Sequence, residues 1–428
     1  MSGALDGIKV FEVSQIVAGP YCGMNLADLG ADVVKVEPPG GEGTRASGGF
    51  IPSESKSYHS LNRGKRSLVM NLQSPAVQDV VHRMIANFDV FVINARPGVP
   101  EHLRVDYDTL RQYRPDLVYF ENTGFGRRGP HAQRSGSDAV AQAYSGLMAG
   151  DGKVDEFGAP EIISATAPAD YHAGLAGAMA ICAALFHRER TGCGQYIETS
   201  LLQAGLALQG SRVGRLPAFD AQTSDKMMER VRQVQAEGGS YREQIESRGN
   251  LFDQMGRAAA RMFYGGYAVK DGGVILGALT PANRDQMRRA LGIEHDDPTA
   301  DPEFNSMDPE SRKLVDVMLA RVRSIMLTKT MDEWVDRFGQ EGAPISKVNF
   351  PEDMADDSQV EAMGYMLDID HELTGLERMV GPIVFMSETP TGSTLPSPPL
   401  GRHTDEILRQ HGIADEEIAR LREAQVIA

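Results

Sequence analysis

GIKVFEVSQIVAGPYCGMNLADLGADVVKVEPPGG, residues 7–41, reads as strand, helix and strand in close succession. Residues 8–13 are a short run of mostly apolar, β-branched and aromatic side chains, the pattern of a buried strand. Residues 21–29 carry apolar positions at helical spacing and stop at Gly30. Residues 32–36 give a second buried strand, ended by Glu37-Pro38-Pro39-Gly40-Gly41. Two strands joined through a helix pair in parallel, because a tight turn cannot connect them in that direction.

The alternation continues outward from this unit. Residues 67–70 read as a third strand, and Ser74-Pro75 opens a helix with a cap followed by proline in the first turn. Residues 89–93 form a strand ended by Arg96-Pro97-Gly98, residues 107–113 a helix, and residues 117–121 a strand. A long helix at 169–190, a strand at 195–198 and a helix at 200–208 follow. This order predicts an α/β fold, a parallel sheet with helices on both faces. From 215 to 261 charged residues and glutamine increase, and the helical period persists over 225–237 and 242–254. Residues 262–330 read as a smaller α/β unit, with strands 267–270 and 274–278 around Asp271-Gly272-Gly273 and a helix at 284–291. After Trp334 strand signals return, ending in a helix at 415–422. The expected organisation is a large domain at 1–210, a helical insert at 211–261, a small domain at 262–330 and a C-terminal part at 331–428.

The net charge of −16 would repel phosphate at long range and argues against nucleic acid as a partner. A phosphorylated ligand would need a local cluster of Arg and Lys. Three cysteines, Cys22, Cys182 and Cys193, show no paired spacing, which fits a reducing cytoplasm and gives no Cys-x-x-Cys pair for a metal. No metal is expected. The N-terminus lacks an apolar signal region. The least polar stretch, residues 173–186, falls short of the roughly 20 residues that span a bilayer and reads as a buried helix, so no membrane partner is expected.

Glycine clusters at 40–43 and in GFGRRG, 124–129, suggest phosphate loops. The first lacks the Gly-Lys-Ser/Thr ending. The second follows the fifth strand and runs into Pro130 instead of opening a helix, so neither predicts an NAD or ATP site. Asp170 opens the long helix two residues after Pro168. An acid there is stabilised by the helix dipole by roughly 0.3–1 kcal/mol, so its position alone is that of a helix cap.

Six segments together resemble the class III CoA-transferases, also called the formyl-CoA transferase or carnitine CoA-transferase family, which also includes the α-methylacyl-CoA racemases. They are AGPYCGMNLADLGADVVKVEPPGGEGTR (18–45), LNRGKRSLVMNL (61–72), NARPGVPEHL (94–103), ENTGFGRRGPHAQRSGSDAVAQAYSGLM (121–148), PADYHAGLAGAMAICAALFHRERTGCGQYIETSLL (168–202) and PLGRHTDEIL (399–408). The resemblance implies a Rossmann-like large domain completed by the C-terminal part, a smaller α/β domain, and an interlocked homodimer. It implies a cytoplasmic enzyme that uses an acyl-CoA donor and a carboxylate acceptor, with coenzyme A as substrate and no separate cofactor.

The resemblance aligns the family's nucleophilic aspartate with Asp170. It implies main-chain oxyanion donors near the first turn, where Gln15, Val17 and Ala18 stand. Formyl-CoA transferases carry glutamine at the position of Val17 and a four-glycine loop whose nearest counterpart here is Gly265-Gly266. Both departures argue against formyl-CoA and oxalate as the substrate pair. Candidate phosphate cations are Lys65, Arg66, Arg96 and Arg104; Pro38, Leu72 and Asn94 would line the adenine pocket, and Gln142 and Tyr144 the acyl pocket, a core role for these two being as good a reading. His172, two residues beyond Asp170, does not share its helix face and reads as a packing residue. Arg212, Arg215, Arg230, Arg232 and Arg242 of the insert would either bind a second carboxylate of a diacid or form a solvated helix surface. The related racemases need a histidine where this chain has Ser137 in Gly136-Ser137-Asp138. Transfer of CoA within one diacid, and CoA binding without catalysis, are the further alternatives.

Overall fold

Val10 and Phe11, Val33 and Val34, and Val90 through Val92 are wholly buried. Strands that bury both faces need helices on each side, the arrangement of parallel sheets. The structure is a computed structural model and describes residues 3–49, 51–249, 258–305 and 308–428. Among these, β1 (Lys9–Val13), β2 (Asp32–Glu37), β3 (Lys65–Val69), β4 (Val90–Asn94), β5 (Val118–Thr123) and β6 (Tyr196–Ser200) form a six-stranded sheet. The order is β3-β2-β1-β4-β5-β6, and every neighbouring pair is parallel. The order reverses between β1 and β4.

Because successive strand residues point to opposite faces, the sheet divides its apolar side chains between two cores. Phe11, Val34, Phe91 and Tyr119 pack with Val77, Val80 and Phe88 on one side. Val10, Val33, Val92 and Phe120 pack with Cys22, Leu26 and Ile181 on the other. The helices that matter for the site are α1 (Ala18–Asp28), α2 (Lys56–Asn62), α3 (Pro75–Met84), α4 (Asp138–Tyr144) and α5 (Pro168–Thr191). Helix α1 starts three residues earlier than the apolar period predicts, because Pro20 is accommodated in its first turn, where a missing N–H has no cost.

Helix α5 packs closely against its neighbours. A Cβ on Gly174 would stand 2.5 Å from the Ala18 carbonyl oxygen, and one on Gly177 would stand 2.4 Å from the Phe120 ring. The helix has 24 residues and is long and apolar enough to cross a bilayer by length and composition, but half of its most apolar window is buried in this core. Leu175, Met179 and Phe186 remain exposed on its other side.

The chain forms two compact units, Met1–Lys153, Pro160–Gly214 and Ala355–Ala428 in the first, Val154–Ala159 and Arg215–Met354 in the second. In the second unit β7 (Tyr264–Val269), β8 (Gly272–Gly277) and β9 (Ile345–Lys347) make an antiparallel sheet. Phe263, Val274, Leu276, Trp334 and Phe338 are in its core. The hairpin turns on Lys270 and Asp271, so Gly272 and Gly273, read from the sequence as turn residues, begin β8. Two helices, Ser224–Ala236 and Tyr241–Arg248, occupy the charged segment; residues 250–254 of the second predicted helix lie outside the described residues.

Back in the first unit, β10 (Met366–His371) and β11 (Gly375–Val380) form a hairpin. Arg63 holds it by donating to the Val380 carbonyl at 2.8 Å. The C-terminal residues then reach the β3 edge of the large sheet. Asn71 N donates to Val426 O at 2.8 Å, and Ile407, Leu408 and Ile418 enter the core beside Phe11.

In an exposed helix Gly→Ala gains about 1 kcal/mol. At Gly177 we expect the opposite sign, a loss of about 1–3 kcal/mol, since the added methyl must displace the Phe120 ring. A urea midpoint for Gly177→Ala at or above that of the parent would show that α5 is not packed this closely.

Candidate active site

Helix α5 begins Ala167-Pro168-Ala169-Asp170, and Ala167 has no side chain that can cap it. The cap comes from elsewhere. Asp138, the first residue of α4, accepts the Ala169 N–H at 2.7 Å and the Asp170 N–H at 3.2 Å on one carboxylate oxygen. Its other oxygen takes the Gln142 amide one turn on, and Gln142 in turn accepts from Ile163 N at 2.9 Å. Thus Asp138 fixes the start of the helix that carries Asp170.

Asp170 is 8% exposed. Its pKa is raised to about 7, first by burial and second by the negative charge of Asp138; a hydrogen bond from the Ala18 N–H opposes the rise. Helix α5 comes close to α1 one turn further on, at Gly174. The starts of two helices therefore converge on one carboxylate, directing positive dipole ends at it.

Asp170 faces a cleft of about 400 Å³ at the carboxyl ends of β1, β4 and β5, beside the point where the strand order reverses. Ligands of open parallel sheets bind at such a crevice. Gln15, Ile16, Asn94, Arg96 and Ser135 through Ser137 share its wall. A smaller hollow of about 160 Å³ shares Gln15, Asn94 and Val99 and adds Val36 and Pro38. The turn between β1 and α1 is held in an unusual shape. Ile16 has φ of 68°, a left-handed conformation that costs a β-branched residue about 1–3 kcal/mol. Asn94 brackets Gln15 by accepting its N–H at 2.9 Å and donating to its carbonyl at 2.8 Å. Glu42 accepts the Ile16 N–H at 3.2 Å.

Of the residues singled out in the sequence, the structure brings Asp170, Gln15, Asn94, Arg96 and Pro38 to these two hollows. Ala18 joins through its N–H, and Val17 is the residue before α1, half-buried. The others are placed differently. Lys65 lies inside β3, fully buried, donating to Glu12 at 3.0 Å and to the Pro20 carbonyl at 2.8 Å. Burial lowers its pKa to about 8, against the pull of Glu12. Arg66 pairs with Asp32 at 2.6 Å, and Arg104 is an exposed residue beside Asp79. Leu72 is in the core, Gln142 is buried as the brace just described, and Tyr144 packs edge-on against Phe125 and His131. Gly265 and Gly266 are not a loop but part of β7. Arg215 and Arg242 of the insert bond Asp225 and the Asp155 carbonyl.

Sequence reasoning missed Ile16, Ser135 and the capping role of Asp138. The β-branched Ile16 gives no signal for a left-handed turn, and a cap supplied across 31 or 32 positions has no local motif.

Arg96 is exposed at the cleft mouth, 3.3 Å from the Ser135 hydroxyl. It is the cation that the cleft itself offers among its lining residues. A buried carboxylate near neutrality, main-chain N–H groups and one rim cation suit chemistry in which the carboxylate acts as nucleophile or base on an anionic substrate.

Comparison with known proteins agrees in direction. The description CoA-transferase family III matches residues 5–404. The chain is 32% identical to a succinate–glutarate CoA-transferase of Agrobacterium fabrum, covering 95% of each chain. It is 31% identical to the β subunit of a succinyl-CoA–L-malate CoA-transferase of Chloroflexus aurantiacus, over 99% of this chain and 98% of that one. A solved CaiB/BaiF family protein from Brucella suis superposes with a TM-score of 0.72 at 28% identity, over 96% of this chain and 100% of the other.

The Asp138 cap predicts a stability difference that does not involve turnover. At pH 5, where the raised Asp170 is protonated, Asp138→Ala should lose about 1–2 kcal/mol in urea denaturation. Asp138→Asn, which keeps an oxygen for the two amides, should lose less than half of that. Equal losses would remove the capping assignment.

Proposed function

This chain belongs to CoA-transferase family III, and from that premise we propose that it moves CoA between an acyl thioester and a carboxylic acid through a thioester formed on Asp170. The observation that carries the reading is the burial of Asp170 at the cleft floor with the Ala18 N–H beside it.

The Asp170 carboxylate attacks the thioester carbonyl. The C–S bond breaks, leaving a mixed anhydride and CoA thiolate. The thiolate attacks the aspartyl carbonyl of that anhydride, releasing the donor acid as its carboxylate and leaving an aspartyl-CoA thioester. The acceptor carboxylate attacks this thioester and frees the thiolate again, which takes the acceptor's acyl group and returns Asp170 as a carboxylate. Each step exchanges one activated acyl group for another, so no ATP is consumed. Water must be kept out, or hydrolysis of the anhydride competes. Holding the thiolate in place supplies effective molarities on the order of 10⁵ M or more.

The raised pKa suits this task, because a desolvated carboxylate is a stronger nucleophile than a solvated one. The positive end of the α1 dipole would stabilise charge that develops on the reacting carbonyl oxygen. For CoA, the hollow at Pro38 and Val36 suits the adenine ring and Arg96 suits a phosphate. Lys65, held by Glu12 inside the sheet, supports the turn and does not serve as a phosphate ligand in this reading. The named relatives act with dicarboxylic acids, which favours succinyl-CoA as donor and a short diacid as acceptor.

The strand order supports the Rossmann-like description of the large domain. A homodimer is supported by exposed apolar side chains, Met179 and Phe186 on α5 and Leu376, Val380 and Phe385 near the hairpin. Interlocking of the two copies rests on the family resemblance. The racemase alternative has less support, since Ser137 stands at the cleft where a histidine base would be needed.

Incubation with succinyl-CoA followed by hydroxylamine should convert the Asp170 peptide to its hydroxamate, seen by mass spectrometry. Asp170→Asn should abolish both the adduct and transfer, by about 10³-fold or more. Transfer that survives in Asp170→Asn would eliminate this nucleophile. An isotopically labelled acceptor acid that appears in the product thioester distinguishes transfer between molecules from transfer within one diacid.

Ionisation gives a second test. As pH falls through about 7, Asp170 takes up its proton and kcat/KM for acyl-CoA should fall. Asp138→Asn should move this limb to lower pH by removing the repelling charge. The stability effect has the opposite sense. The native state holds a proton that the unfolded chain has lost between pH 3.8 and about 7, so ionised Asp170 lowers stability as pH rises through that window. At pH 8, Asp170→Asn should therefore be more stable than the parent, by roughly 1–3 kcal/mol. A thermal midpoint that drops at pH 8 would contradict the burial argument.

A further inference from the structure

Glu54, His59 and His371 meet in a second polar cluster, and none of them lines the cleft. Glu54 precedes α2, His59 lies on α2, and His371 ends β10. Each is no more than 4% exposed. One potential ligand atom from each lies within 4.8 Å of the other two. Glu54 Oε2 is 2.6 Å from His59 Nε2 and 3.9 Å from His371 Nε2, and the two imidazole rings are 4.6 Å apart.

Hydrogen bonding explains only part of this arrangement. His59 lies between two carboxylates, with Glu377 Oε1 at 2.6 Å from its Nδ1. A protonated His59 bridging Glu54 and Glu377 would satisfy those groups. It would leave His371 Nε2 as it is, buried and without a hydrogen-bond partner among the described residues. Buried polar atoms in that state are rare and call for a cause.

We propose that Glu54 Oε2, His59 Nε2 and His371 Nε2 bind one divalent transition ion of the zinc class, with water as the fourth ligand. Two imidazoles and a carboxylate are a donor set that suits such an ion. Ligands about 2.0 Å from a tetrahedral centre stand roughly 3.3 Å apart. The separations of 2.6 and 3.9 Å lie on either side of that value, and the third is no more than 4.8 Å. The surrounding groups also fit. Glu377 accepts from His59 Nδ1–H, the outer contact that fixes a metal-binding histidine. Thr374 Oγ1 lies 2.9 Å from His371 Nδ1 and passes its own hydrogen to Glu377. In this structure His371 Nδ1 accepts the Leu373 and Thr374 amide N–H groups at 3.2 Å, so binding the ion requires the ring proton to move from Nε2 to Nδ1 and to be donated to Thr374 Oγ1 in place of those two contacts. Arg45 stands 3.7 Å from the other Glu54 oxygen, but its fork is held by Glu37 at 2.6 and 2.8 Å. The ion would pin the β10–β11 hairpin to α2.

The test is a titration of the full-length protein, stripped by chelator, with Co²⁺ and then Zn²⁺. One equivalent of Co²⁺ should bind with the visible bands of a low-coordinate nitrogen and oxygen site, and Zn²⁺ should displace it. His59→Asn and His371→Asn should each weaken Zn²⁺ binding by about 100-fold or more, and Glu377→Gln by about 10-fold. Absence of a bound equivalent in the parent protein overturns the proposal without reference to any variant. Equal affinity in a folded His59→Asn/His371→Asn double variant, checked by circular dichroism, also overturns it by assigning the ion to other groups. Neither outcome bears on CoA transfer, so the two readings stand or fall separately.

Discussion

Burial governs the site. The Asp170 carboxylate, near the start of α5, is removed from water, and the Ala18 N–H at the start of α1 opposes the resulting rise in its pKa. Gly174 lets the two helices approach until a side chain would strike the Ala18 carbonyl. The start of α1 is in turn held from below: Lys65 donates to the Pro20 carbonyl and to Glu12, and Lys35 donates to the Ser14 carbonyl at 3.1 Å. The start of α5 is held by Asp138. Burial, one repelling charge and one amide then set the carboxylate near neutrality, with burial the largest influence.

This arrangement also explains how so acidic a chain can handle anions. The cations nearest the sheet, Lys35, Lys65 and Arg45, are buried and matched by Glu12, Glu42, Glu37 and Glu54. They shape the loops, and their charges are met by these carboxylates. What faces the cleft is Asp170, neutral polar side chains such as Gln15, Asn94 and Ser137, and the cation Arg96. Anion binding there is a matter of local geometry, and the net charge of −16 does not decide it.

Much of this was legible in the sequence, for physical reasons. Strands buried on both faces leave continuous apolar runs, so the sheet was visible from residues 8–13 onward. Asp170 was visible as an acid just inside a long helix, and the ordered motifs named its family. Lys65 and Arg66 were read as candidate phosphate cations because nothing local shows their partners; the distant Glu12 and Asp32 pair with them in the structure. The β10–β11 hairpin was read only as returning strand signals, since its exposed strands have no continuous apolar run. The cluster of Glu54, His59 and His371 could not be seen at all. Its members are brought together across more than 300 positions by the return of the chain.

That return has a consequence for biogenesis. The β3 edge of the main sheet is closed by the final residues, through Asn71 to Val426 and Val69 to Thr404. The core beside Phe11 lacks Ile407, Leu408 and Ile418 until they leave the ribosome. A nascent chain must therefore hold an unfinished parallel sheet with an open edge while Arg215–Met354, most of the second unit, is translated. At about 5–20 residues per second, synthesis of the 140-odd residues between Gly214 and Ala355 leaves that edge open for some seconds. During that interval the sheet is a target for chaperones, and for mispairing with another chain on the same polysome.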